Sequence, residues 1–209
     1  MVIKLTQFKY VNLKNKSFNF FSSLKNEQVL SEVTKIGINI KKEDIFTIFN
    51  IRGNYNKKIF KDIFQKHLKH KIPTQLGSFS DDKEAYILNL GPDELLYVSK
   101  SNKVFAPLSM EAQLKKNKFS ITDVSYQFKI LSLQGSEVRW VLSKGCPLNF
   151  DIKNFHKGKC FQSILGNCNV KIFCTADDHF LLIFITSFSD YIVNWLKESS
   201  YNHGYKFIV

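Results

Sequence analysis

A chain of 209 residues that is 44% hydrophobic and 14% aromatic can bury a substantial core, which excludes disorder as its overall state and allows one large domain or two closely packed lobes. Its formal charge of +12 calls for an acidic partner, a nucleic acid, or a general compositional bias. Lysine carries almost all of that charge. Arg52 and Arg139 are the two arginines, and arginine is the residue suited to bidentate reading of phosphate or guanine, so specific nucleic-acid binding is disfavoured.

Residues 1–25 read as an N-terminal extension. Lysine interrupts each short apolar group from Met1 to Tyr10, unlike the continuous apolar segment of a secretory signal, so a cytoplasmic address is expected. A first lobe is expected over 26–118. Its strands fall at 29–38 and 45–52, and Asn54 caps a helix to about His70 that turns Ile59, Phe60, Ile63, Phe64 and Leu68 inward. Pro73 ends that region. Strands follow near 75–79, 84–90 and 94–99, the last two joined by the turn Gly91-Pro92-Asp93. A short helix near 107–116 then crosses over.

A second lobe is expected over 119–209, packed closely on the first. Strands near 119–125 and 128–134 lead to a helix from Ser136 to about Lys144, stopped by Gly145. In the strand 168–174, Cys168, Val170, Ile172 and Cys174 share one face. Phe180 to Ile185 lacks alternation, as expected of a central strand covered on both sides, and it is too short to span a bilayer. Ser187 with Asp190 resembles a capping pair, ahead of Phe188, Tyr191, Ile192, Trp195 and Leu196 at helical spacing, with Gly204 as the stop.

The two lobes share a pattern. At an offset of 82 residues, Phe46, Ile48, Ile51, Gly53, Ile59 and Phe60 fall opposite Phe128, Ile130, Leu133, Gly135, Val141 and Leu142. Each block reads strand, tight turn, helix, and each lobe reads β-β-α-β-β-β-α, an α+β fold built by duplication.

Residues that could carry chemistry have plainer explanations. Cys146, Cys160, Cys168 and Cys174 contain no Cys-x-x-Cys pair and read as buried reduced thiols. Asp177-Asp178-His179 and Asp81-Asp82 lie between strands, where Asp is a turn residue. His67 and His70 are spaced for a shared metal but lack a third ligand. Gly91-Pro92-Asp93-Glu94 and Gly145-Cys146-Pro147 come without a phosphate-loop signature or a base to activate the thiol. Lys57, Lys58, Lys61, Lys66, Lys69 and Lys71 surround one apolar stripe, and suit either an acidic partner or a solvated face.

From Thr122 to Trp195 a distinctive order appears: Thr122-Asp123-Val124-Ser125, Leu133-Gln134-Gly135, Lys144-Gly145-Cys146-Pro147-Leu148, Gly158-Lys159-Cys160-Phe161-Gln162 and Ser187-Phe188-Ser189-Asp190-Tyr191. With Leu90-Gly91-Pro92-Asp93-Glu94, it resembles the gamma subunits of heterotetrameric sarcosine oxidases over about residues 84–205. That family is related to the folate-binding fold of the glycine-cleavage aminomethyltransferase, so the resemblance implies that fold in duplicated lobes. It implies a complex oxidising sarcosine, with alpha, beta and delta subunits as partners, and neither membrane nor nucleic acid among them. FAD, FMN, NAD, tetrahydrofolate and zinc would all be held by those partners. No catalytic, cofactor-binding or metal residues are expected in this chain. In the aminomethyltransferases an Asp-Asp pair opens the strand matching Val170 to Phe173, whereas Cys168 and Asn169 stand here, which disfavours transferase chemistry. Two alternatives remain: a stand-alone folate-binding one-carbon protein on the same fold, and a lysine-driven nucleic-acid binder.

Overall fold

Side chains along the central strands alternate between two different cores, and this alternation organises the molecule. The computed structural model describes residues 25–30, 35–43, 47–68, 70–100, 116–117 and 119–209. In chain order the elements are β1 (Glu27–Val29), β2 (Ile38–Glu43), β3 (Thr47–Arg52), α1 (Lys58–Leu68), β4 (Phe79–Asp81), β5 (Ala85–Gly91) and β6 (Glu94–Ser99). They continue with β7 (Ser120–Asp123), β8 (Phe128–Gln134), α2 (Val138–Ser143), β9 (Cys160–Leu165), β10 (Cys168–Ala176), β11 (His179–Ile185), α3 (Ser189–Ser200) and β12 (Tyr205–Ile208).

These strands form a seven-stranded sheet ordered β1-β12-β2-β8-β11-β10-β9 and a five-stranded sheet ordered β4-β5-β6-β3-β7. On β3, Phe49 and Ile51 pack beneath α1 with Phe60, Ile63 and Phe64, while Ile48 faces the other way. There it joins Leu88, Leu96 and Val98 against Phe128, Ile130, Phe173, Leu181 and Ile183 of the larger sheet. The far face of the larger sheet packs Leu131, Leu133, Val170 and Ile172 against Val138 and Leu142 of α2 and Ile192 and Leu196 of α3. The result is an α+β fold of four layers: helix, sheet, sheet, helices.

Neither half of the chain completes a sheet by itself. β2, from the first half, pairs with β8, and β7, from the second half, pairs with β3. The inner strands of the larger sheet, β9-β10-β11-β8-β2, therefore repeat the order β4-β5-β6-β3-β7 of the smaller one. The sheets are also stitched at one margin, where Phe79 N–H donates to Gly158 O at 3.1 Å and Cys160 N–H to Gly77 O at 2.9 Å.

Most residues matched at the offset of 82 occupy like places. Ile48 and Ile130 both lie between the sheets, whereas Ile51 and Leu133 both lie beneath helices. Gly53 and Gly135 end β3 and β8 with φ of 141° and 146°. Each donates its N–H to the carbonyl of an Asp in a neighbouring strand turn, Asp93 at 2.9 Å and Asp178 at 3.1 Å. Ile59 departs from the pattern, being 47% exposed where Val141 is buried. Phe60, Ile63 and Phe64 already fill the sheet-facing side of α1, leaving Ile59 at its flank. Phe46, Lys69, most of the helix expected at 107–116 and nearly all of the extension at 1–25 lie outside the described residues.

Several boundaries differ from the sequence reading. The strand expected at 29–38 is found at Ile38–Glu43, because pairing with β8 holds Lys41, Lys42 and Glu43 extended despite their charge, with β12 on the other side as far as Lys41. Asn54 organises a turn by accepting from Asn56 N–H at 3.1 Å, and the helix starts only at Lys58. α3 has no side-chain cap. A short 3-10 turn over Thr186–Phe188 leads into it instead, and Ser189 Oγ donates to Thr186 O at 2.6 Å. The strands β9 and β12 had no sequence counterpart, since CFQSIL and YKFI mix polar and apolar residues over short lengths.

Gly135 marks the tightest junction. A Cβ there would lie 2.2 Å from Gly37 O, the carbonyl that receives Glu137 N–H at the start of α2. Gly135→Ala should therefore cost more than about 1 kcal/mol in urea denaturation. It should also cost more than Gly158→Ala, where φ is likewise positive but no atom lies within 4 Å of the added carbon.

Candidate functional site

The polar groups singled out by sequence are dispersed, and most bond within the fold. Asp177 and Asp178 form the turn between β10 and β11. Asp178 pairs with Arg139 Nε at 3.1 Å, and the same guanidinium donates to Asp177 O, to Phe150 O at 2.6 Å and to Phe155 O at 3.0 Å. Arg139 thus fastens the long connection after α2 to this turn, a role that its position in sequence did not signal. His179, the next residue, has its ring between two hydroxyls, Ser132 Oγ at Nε2 and Thr175 Oγ1 at Nδ1, each at 2.7 Å. Burial holds its pKa below the ordinary histidine value.

His67 and His70 do not converge. α1 ends at Leu68, and His70, 8% exposed, turns its Nδ1 to the Asp82 carboxylate with Glu84 3.9 Å from Nε2. His67 Nε2 is buried without a hydrogen-bond partner. Asp82 also accepts from Glu84 N–H at 2.8 Å and Ala85 N–H at 3.1 Å, so it shapes its turn while anchoring His70. No group of three or more His, Cys, Asp or Glu side chains among the described residues is arranged to hold a metal ion.

All four cysteines are free and buried. Burial pushes the Cys160 thiol up to about 12 and raises those of Cys168 and Cys174, so these three present no thiolate near neutrality. The loop Gly91-Pro92-Asp93-Glu94 turns β5 into β6. Its acids meet Arg52, Asp93 at 3.2 Å and Glu94 at 3.4 Å. Lys57, Lys58, Lys61, Lys66 and Lys71 are exposed on and around α1. On α3, Ile192, Val193 and Leu196 are fully buried and Tyr191 is 37% exposed, as is Phe188 in the turn before it.

Concavities are also found among the described residues. One, of about 430 Å³, lies beside α1 and includes Lys61, Gln65, His70 and Thr74. Another, of about 570 Å³, opens on the larger sheet beside Phe128, Gln162, Ile164, Asn169, Lys171 and Ile185.

A family model described as sarcosine oxidase, gamma subunit family, matches residues 52–202. The chain belongs to that family. Curated relatives are sarcosine oxidase gamma subunits of Corynebacterium sp. strain U-96, 25% identical, and strain P-1, 27% identical, each over 129 residues or 61% of this chain. The match spans 62% and 63% of those relatives' own lengths, less than two thirds. Among solved structures, heterotetrameric sarcosine oxidase from Corynebacterium sp. U-96 in complex with pyrrole 2-carboxylate aligns with a TM-score of 0.72 and 20% identity, covering 79% of this chain and 85% of that one. The glycine cleavage system aminomethyltransferase T from Bartonella henselae aligns with a TM-score of 0.60 and 11% identity, over 84% of this chain and 48% of that one. The fold of this gamma-family chain is therefore that of the folate-binding aminomethyltransferases.

Within that fold, the position at which the transferases were expected to carry paired carboxylates is divided between two environments. Cys168 is fully buried in the helix-side core, and Asn169 is exposed on the concavity of about 570 Å³. Neither can replace a carboxylate as a base or as a counter-charge to a cationic amine.

His179 makes the stability of this chain dependent on pH. Its folded pKa is lowered, so below about pH 6.5 the unfolded chain binds more protons and stability falls as pH drops toward the folded value. Urea denaturation from about pH 7.5 down to about pH 5.5 should show a larger loss for the wild type than for His179→Gln. Equal losses would mean that the ring titrates alike in the folded and unfolded states.

Proposed function

We propose that this chain is a non-catalytic gamma subunit of a heterotetrameric sarcosine oxidase, supporting partner subunits that carry out the oxidative demethylation. The observation that carries this reading is the family match over residues 52–202, supported by a shared fold across 79% of the chain. The internal chemistry agrees with it. His70, His179 and Asp178 are bonded to neighbours, and burial holds the Cys160 thiol protonated. In this reading the alpha, beta and delta subunits are the partners, FAD, FMN, NAD, tetrahydrofolate and zinc belong to them, and the complex is cytoplasmic.

The two halves, 26–118 and 119–209, are in this reading related lobes packed as one unit. Their matching strand order supports this, as do the like positions of Gly53 and Gly135. A stand-alone folate-dependent transferase is disfavoured by Cys168 and Asn169. A lysine-driven nucleic-acid binder is disfavoured by the two arginines, both of which are engaged with acids of this chain.

Co-expression with candidate flavoprotein subunits, followed by size-exclusion chromatography at protein and flavin wavelengths, should give one comigrating peak. The chain purified alone should be colourless and should not turn over sarcosine. Amine oxidation by the isolated polypeptide, or consistent separation from every flavoprotein partner tried, would overturn the assignment.

A further inference from the structure

The inner face of the larger sheet continues beyond the part covered by the smaller one. Cys160 and Phe173 lie on that face in the buried seam. With a period of two, Gln162 and Ile164 of β9 and Lys171 and Asn169 of β10 share the same side. Instead of being covered, Gln162, Ile164 and Asn169 are exposed, and with Phe128 and Ile185 they line the cavity of about 570 Å³. That volume is in the usual range for small-molecule sites.

Lys171 is the charged side chain of this cleft. Its Nζ stands 4.5 Å from the centroid of the Phe128 ring. No carboxylate lies within ion-pairing distance of it among the described residues, because Glu94, the nearby acid, is held by Arg52 at 3.4 Å and by Asn50 Nδ2 at 2.9 Å. Burial lowers the pKa of this ammonium and Glu94 partly offsets the effect, the signature of a half-buried cation short of a counter-charge. Gln162 is committed to the other sheet through its Nε2 donating to Leu90 O at 3.3 Å, which leaves the Asn169 amide as a second donor at the cleft.

We propose that this cleft binds a small organic monoanion, a carboxylate on an apolar body, with Lys171 as counter-ion, Asn169 as a second donor, and Phe128, Ile164 and Ile185 as the apolar wall. A single charge fits better than a doubly charged phosphate, because one ammonium offers one positive charge and Glu94 opposes a second negative one. The apolar wall supplies the remaining affinity by removing hydrocarbon from water. This site is separate from the subunit reading and does not depend on assembly.

Calorimetric titration of the full-length chain tests it, using the chain together with its partner subunits where it is not soluble alone. The probes are benzoate, hexanoate, benzamide and inorganic phosphate. Benzoate and hexanoate should saturate one site, with benzamide and phosphate weaker by about ten-fold or more, the loss expected for a charge-assisted contact. Lys171→Met should weaken benzoate by a similar factor while leaving the melting profile intact, and Lys171→Arg should retain most of the binding. Equal affinity for benzoate and benzamide, undiminished binding in Lys171→Met, phosphate binding as tightly as benzoate, or no saturable binding at all would each overturn the proposal. So would benzoate binding to the free chain that disappears in the assembled complex, because the cleft would then be a docking groove filled by a partner. Failure to co-purify with a flavoprotein would bear on the subunit assignment alone.

Discussion

The structure depends on the apolar seam between its two sheets. Phe173, fully buried, meets Phe79 and Tyr86 edge-on at ring separations of 5.2 Å, and Ile48, Leu96, Leu181 and Ile183 complete the contact. Strand exchange makes this seam obligatory. Because β2 belongs to the sheet of β8 and β7 to that of β3, neither half of the chain can close its own hydrogen-bonding ladder, and separating the halves would expose new strand edges as well as the seam. The crossover from β7 to β8 is tied to the same place. Val124 N–H donates to Ile48 O, and Ile48 N–H donates to Ser125 Oγ, each at 2.9 Å.

Much of this arrangement was legible in the sequence, for a specific physical reason. The positions matched at 82 residues are those where geometry leaves little choice: a strand residue facing each core, and a glycine at the strand end with φ near 140° that other residues rarely adopt. The hairpins and the burial of Phe180 to Phe184 were also readable, since an unbroken apolar run matches a strand covered on both faces, with Ile185 at its end only partly covered. The exchange of first strands was not readable. Pairing partners are set by long-range contacts, and a charged segment such as Lys41-Lys42-Glu43 is held in a sheet because β8 pairs along it. β12 shows the same limit, as its four residues form a strand by parallel pairing with β2.

The polar residues show a comparable division. Sequence spacing placed His67 and His70 one helical turn apart, but the helix stops between them and His70 is taken up by Asp82, 12 residues away in the chain. Asp178 and His179 are adjacent, yet they face different neighbours, Arg139 on one side and Ser132 with Thr175 on the other. These partnerships arise from sheet register: His179 begins β11, whose pairing with β8 brings Ser132 within reach, and its pairing with β10 brings Thr175. Since a strand pairing can join residues that are far apart in the chain, no local motif announces it.

Lys171 is an exception to this internal pairing, and its position follows from the same architecture. Arg52, Arg139, Lys100 and Lys197 each meet a carboxylate of this chain. The lysines around α1 are exposed to solvent, where an unpaired ammonium costs little. Lys171 instead stands on a sheet face between a buried aromatic seam and open cleft, over the ring of Phe128. There its positive charge is partly stripped of water, and the π face compensates only in part. A fold that satisfies Lys100, Arg139 and Lys197 with acids, but sets Lys171 over a ring, has left a charge of defined sign facing a cavity of defined size.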